Sequence, residues 1–125
     1  MIRGIRGAIT VEKNEEQTII RAAERLVRDL IKENSIEPDH VASVLISVTD
    51  DIDAAFPARG LREIEGWTYV PVMCMREIPV PQSLGMCIRV MMHVNTKIEQ
   101  ENIHHVYLEG AVALRPDLTG KKMSI

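Results

Sequence analysis

The chain has 125 residues, a length that fits one domain (1–125), and its apolar fraction of 46% is enough for a core. The charged fraction is 26% and the net charge is −3, with no basic run longer than Lys121-Lys122, which argues against non-specific nucleic-acid binding. No window approaches the roughly 20 apolar residues of a membrane span, and Met1-Ile2-Arg3-Gly4 lacks the apolar core of a signal peptide, so a cytoplasmic protein is expected. A chain this small buries only about two-thirds of its unfolded surface, so oligomerisation would help it.

In chain order, Ile2 to Val11 reads as a strand in which Gly4 and Gly7 permit close backbone approach. Asn14 and Gln17 have the spacing of a capping box, and Glu15 and Glu16 suit the positive end of a helix dipole. Apolar residues at Ile19, Ala22, Ala23, Leu26, Val27, Leu30 and Ile31 carry that helix to a stop at Asn34. Pro38 and Asp39 mark a turn or short helical piece. Val41 to Thr49 reads as a buried strand, followed by an acidic connection through Asp50, Asp51 and Asp53.

Pro57 suits the first turn of a second helix reaching Ile64, with Gly66 just past its end. Tyr69 to Met75 is a strand, and Pro71 places it at an edge or a bulge. Pro79, Pro81 and Gly85 bracket a loop, Cys87 to Val94 is a strand, and Glu99 to His104 is a short polar connection. Val106 to Leu114 is the last strand, before a turn at Arg115-Pro116-Asp117-Leu118 and a tail, from about 116, expected to be mobile. The order predicts an α/β or α+β domain with one mixed β-sheet and helices on one face.

No GxSxG, P-loop or HExxH motif is present. Cys74 and Cys87 lie thirteen positions apart, with neither CxxC nor metal spacing, and read as reduced thiols. His104 and His105 are adjacent, and neighbours on a strand point apart, which makes a poor chelate. The distinctive feature is charge inside apolar strands. Arg6 interrupts the first strand, Arg89 interrupts Cys-Ile-Arg-Val-Met-Met, Glu77 follows the run from Val70 to Met75, and Arg115 follows Leu114. Either each of these side chains faces solvent, or together they form an anion site, since burying one charge alone is very costly. Positive charge is carried by ten arginines against five lysines, and arginine grips planar carboxylates well.

The opening Met-Ile-Arg-Gly-Ile-Arg-Gly-Ala-Ile-Thr-Val-Glu resembles the start of the monofunctional chorismate mutases of the AroH class. The resemblance continues through Phe56-Pro57-Ala58-Arg59, Gly66-Trp67-Thr68-Tyr69-Val70-Pro71-Val72 and Cys87-Ile88-Arg89-Val90-Met91-Met92. It closes with His105-Val106-Tyr107-Leu108-Glu109 and Leu114-Arg115-Pro116-Asp117-Leu118. Each block alone is weak; together, in order and with matching gaps, they cover almost the whole chain.

The resemblance implies an isomerase that rearranges chorismate to prephenate in phenylalanine and tyrosine biosynthesis, without cofactor or metal. It implies a homotrimeric pseudo-α/β-barrel with active sites between subunits. Among the implied roles, Arg6 binds a substrate carboxylate, and Arg89 meets the ether oxygen and reaches a carboxylate. Glu77 and the backbone at Cys74 hold the ring hydroxyl, and Tyr107 contacts a carboxylate. Phe56, Ala58, Val72 and Leu114 shape apolar walls, and Arg59 and Arg115 lie near the mouth. Two positions depart from the pattern. Arg59 stands where a lysine is often found, and Met73 stands where a relative has threonine, leaving Met73 a backbone or packing role. The competing readings are a trimer of the imine-deaminase type binding a small carboxylate, or a regulatory module for an aromatic amino acid. Neither accounts for Arg6, Glu77, Arg89 and Tyr107 occurring together in these blocks.

Overall fold

In the computed structural model, residues 1–114 are described, and the expectations placed on Arg115, the turn after it and the tail lie outside them. Five strands form one mixed sheet: β1 (Ile2–Thr10), β2 (Val41–Val48), β3 (Val72–Arg76), β4 (Cys87–Asn95) and β5 (Val106–Leu108). Their spatial order is β3-β2-β4-β1-β5. β4 runs antiparallel to both β1 and β2, while β1–β5 and β2–β3 are parallel pairs. Among the described residues the α-helices are α1 (Glu16–Asn34) and the single turn α2 (Arg59–Arg62).

Helix α1 forms because its apolar residues recur on one stripe. Ile19, Ile20, Ala23, Leu26, Val27 and Leu30 are all buried, each Leu, Ile or Val contributing about 1.5–3 kcal/mol. The stripe lies on the sheet face that presents Ile5, Ile9, Val44, Ile46, Ile88, Val90, Met92 and Val94. Contact is close at Gly7, where a Cβ would sit 2.9 Å from Leu30 Cδ1 and 3.0 Å from Leu26 Cδ1. At Gly60 a Cβ would meet the Ile20 carbonyl at 2.6 Å, so α2 rides directly on the backbone of α1.

Four boundaries differ from the sequence reading. Asn14 does not cap α1: the N-cap position is Glu15, without a side-chain cap bond. The Asn14 amide instead donates to Asp53 Oδ1 at 2.7 Å and accepts from the N–H groups of Asp53 and Ala54, so it pins the acidic connection. The second helix lasts only from Arg59 to Arg62, because residues 57–67 proceed through successive tight i→i+3 turns. β3 begins at Val72 rather than Tyr69, with the Pro71 carbonyl accepting from Val44 N–H at 2.9 Å; as Pro71 suggested, β3 is an edge strand.

The last strand ends at Leu108, not Leu114. Glu109 takes a positive φ of 54°, and Gly110 N–H donates to Thr10 Oγ1 at 2.8 Å, which turns residues 109–113 into a 3₁₀ segment. At the end of α1, Asn34 is the expected stop and is buried, with Ser35 left-handed after it. Its side chain donates to the Leu30 and His104 carbonyls and accepts from His104 N–H.

Candidate active site

Strand alternation sends every second residue to the face away from α1. On β4 those residues include Cys87, Arg89 and Met91; on β1, Arg6 and Ala8; on β2, Leu45 and Ser47. The register aligns them, with Arg89 opposite both Ala8 and Ser47, and Met91 opposite both Arg6 and Leu45. Beyond the end of β3, Glu77 N–H donates to the Val48 carbonyl at 2.8 Å, which carries the Glu77 side chain back over the sheet.

The result is a cleft of about 690 Å³ lined by Arg6, Ser47, Arg76, Glu77, Arg89 and Tyr107, with Leu45, Met75, Ile78, Met91 and Leu114 as apolar wall. That volume lies within the usual range for small-molecule sites, about 300–1,000 Å³. Three lining arginines (Arg6, Arg76, Arg89) outnumber the one carboxylate (Glu77), so the cleft favours an anion. Arg6 makes no ion pair among the described residues.

Arg89 is the best positioned of the three. Its Nε is buried and has no hydrogen-bond partner among the described residues, while its side chain as a whole is 42% exposed. The base of the guanidinium is therefore dry and its fork open. Glu77 Oε2 lies 3.3 Å from this Nε, near enough for Coulomb attraction but off the line of the N–H. The same oxygen accepts from Ser47 Oγ at 2.8 Å. Beneath them the Cys87 thiol is fully buried beside Ala8 and Ala111. Burial pushes its pKa up and the Arg89 guanidinium only partly opposes this, so the thiol stays neutral and adds no second negative charge beside the arginine.

The structure brings together Arg6, Glu77, Arg89, Tyr107 and Leu114 from the sequence reading. It does not bring the remaining residues to the same cleft. Val72 and Cys74 are in register with Val44 and Ile46 and pack toward the core. Met73 is on the cleft face but 62% exposed beside Leu45, on the edge strand. Phe56 is 72% exposed, Ala58 packs on the core, and Arg59 Nη1 pairs with Glu16 Oε2 at 3.0 Å. Arg115 lies outside the described residues. Sequence reasoning missed Ser47 and Arg76. The alternation Ser43, Leu45, Ser47 against the core residues Val44 and Ile46 was the available signal for Ser47.

The family model for chorismate mutase type I matches residues 2–118. The chain belongs to that family. This type I chorismate mutase is 51% identical over 119 residues to the Bacillus subtilis protein named chorismate mutase AroH, covering 95% of this chain and 94% of that one. It is 45% identical to the chorismate mutase AroH of Thermus thermophilus, covering 94% and 97%. Among solved structures, a chorismate mutase from Clostridium thermocellum superposes with a TM-score of 0.85 at 47% identity, covering 88% of this chain and 97% of that chain. The lining of the cleft offers cations, one carboxylate and a phenol. No described helix is long and apolar enough to cross a membrane.

Proposed function

We propose that this cleft binds chorismate and rearranges it to prephenate by a concerted [3,3] shift, in the cytoplasm and without cofactor. The observation that carries the reading is the buried, unpartnered Nε of Arg89 beside Glu77. In this rearrangement a carbon–oxygen bond breaks ahead of carbon–carbon bond formation, and negative charge grows on the ether oxygen. A preorganised cation at Arg89 stabilises that charge more than it stabilises the ground state. Arg6 and Tyr107 hold a carboxylate and Glu77 holds the ring hydroxyl, selecting the compact conformer; such positioning removes several kcal/mol of barrier. Arg76 adds charge at the same cleft, which suits a substrate with two carboxylates.

The active assembly in this reading is a homotrimer forming a pseudo-α/β-barrel, each site completed by a neighbour's Phe56, Ala58, Arg59, Val72, Met73 and Cys74 backbone, with Arg115 near the mouth. Two observations support it. Of the described ones, Phe56, Ala58, Arg59, Val72 and Cys74 stand apart from the cleft of their own chain, and Met73, although on the cleft face, does not line it. The sheet face opposite α1 also carries Met73 and Met75 at 62% and 41% exposure, with Ile78 just past the end of β3 at 74%, an apolar surface that a second copy would cover.

Two measurements test the proposal. Chorismate absorbance should fall in the presence of the protein as prephenate appears; a persistent signal overturns the assignment. Light scattering should report about three times the 14.1 kDa chain mass. A fully active monomer overturns the shared site.

A further inference from the structure

Ser47 has no part in the roles derived so far, yet it is the nearest cross-strand neighbour of Arg89 on β2 and lines the same cleft. Its Oγ donates to Glu77 Oε2 at 2.8 Å, and that same oxygen stands 3.3 Å from Arg89 Nε without completing a hydrogen bond. A carboxylate this close to a buried guanidinium N–H would normally turn to accept from it, because a charge-assisted bond in a dry site is strong and an unmade one is costly. The competing donor is the Ser47 hydroxyl. We propose that Ser47 is a positioning residue that holds Glu77 off Arg89, keeping the Nε–H of Arg89 available to substrate oxygen while retaining the neighbouring negative charge. This rests on the chorismate mutase reading of the cleft.

The sheet supplies the geometry. Ser47 and Met75 are in register on β2 and β3, and Ser47 and Arg89 on β2 and β4, so the hydroxyl and the guanidinium share one rung of one face, and the Glu77 carboxylate, two residues past Met75 and beyond the end of β3, reaches that hydroxyl. Without the hydroxyl, Glu77 is free to turn onto Arg89 Nε. The substrate would then have to displace that bond, at the moment in the reaction when the donor is most needed. The loss should fall mainly on kcat.

The test is a cycle of folded variants assayed with chorismate: Ser47→Ala, Ser47→Thr, Glu77→Gln and the Ser47→Ala/Glu77→Gln pair. Ser47→Ala should lower kcat about tenfold with a smaller change in KM, the effect of mispositioning one donor by a single lost hydrogen bond. Ser47→Thr, which keeps the hydroxyl, should stay within about threefold of the parent. In the Glu77→Gln background, Ser47→Ala should add less than about twofold, because the carboxylate through which it acts is gone. The proposal is overturned if Ser47→Ala keeps the parental kcat while Glu77→Gln loses it. It is equally overturned if Ser47→Ala costs the same in both backgrounds, which would mean that Ser47 acts without Glu77. A Glu77→Gln variant with parental kcat overturns the underlying assignment of Glu77 instead, and this proposal with it.

Discussion

The backbone N–H of Arg6 donates to Nδ1 of His105 at 3.0 Å. β5 begins only at Val106, so Arg6 lies one step beyond the end of the β1–β5 ladder, where no strand carbonyl meets it. The imidazole ring takes that place, with Nδ1 as the acceptor. The preceding residue is held too: Asn34 at the end of α1 grips both the N–H and the carbonyl of His104. The backbone from which Arg6 reaches into the cleft is thus tied through His105 to the helix. His105→Leu should raise KM for chorismate about five- to tenfold, one hydrogen bond of about 1–1.4 kcal/mol, with a smaller change in kcat. His105→Asn, which can present an amide oxygen instead, should recover most of the loss. Equal falls in kcat for both variants would place the role of His105 elsewhere.

Arg89→Ala removes the cation assigned to the breaking bond. Loss of one preorganised donor of this kind costs about 10² to 10³ in kcat. Arg89→Lys should rescue little, because an ammonium lacks the planar fork that lets the guanidinium serve two oxygens. Steady-state kinetics on variants with parental circular dichroism decide this. More than about a tenth of the parental kcat in the folded Ala variant, an effect under roughly 1.4 kcal/mol, would remove Arg89 from the principal role.

Asp51 gives the acid dependence of stability a specific origin. Its carboxylate accepts from Thr49 Oγ1 at 2.5 Å and from Met86 N–H at 2.9 and 3.0 Å, tying the loop ahead of β4 to the end of β2. The Thr49 hydroxyl, helped by the Met86 N–H, lowers its pKa against the opposing effect of desolvation. A carboxyl depressed in the folded state adds stability that is fully present above its unfolded pKa, about 3.9, and is lost as pH falls through the lower folded value. Asp51→Ala should therefore lower the melting temperature at neutral pH, and the gap to the parent should close only in acid below about pH 4. Because the group is largely exposed, the gap should be modest. A gap that is constant with pH would show that the loss comes from packing rather than from the charge.

Much of the fold was legible in local pattern. The α1 stripe from Ile19 to Leu30 announces a helix, and the Asn34 stop holds, although Asn34 turns out to be a buried tie between α1 and His104 rather than a mere terminator. Arg6, Glu77 and Arg89 stood out because charge in an apolar strand must be explained, and they do share one cleft. Asn14 misled because capping spacing is a local signal, whereas its amide found two N–H groups near Asp53, thirty-nine positions away. The last strand was read too long for a similar reason: apolar residues 111–114 continue the pattern, but Thr10 on another strand captures Gly110 and turns the chain.

By itself the sequence determined the main helix, the strand positions, the charges within the strands and, through its blocks of resemblance, the chemistry to expect. Only the tertiary structure decided which of those charges meet. Period-two alternation gives every strand two faces but does not say which face α1 covers, nor how strands far apart in sequence align. That choice comes from burial of the α1 stripe on Ile5, Val44, Ile46 and Val90, and from a register that puts Ser47 and Ala8 on either side of Arg89. It turned Val72 and Cys74 toward the core and left Arg89 Nε dry, with Glu77 held beside it by a serine that no local motif singled out.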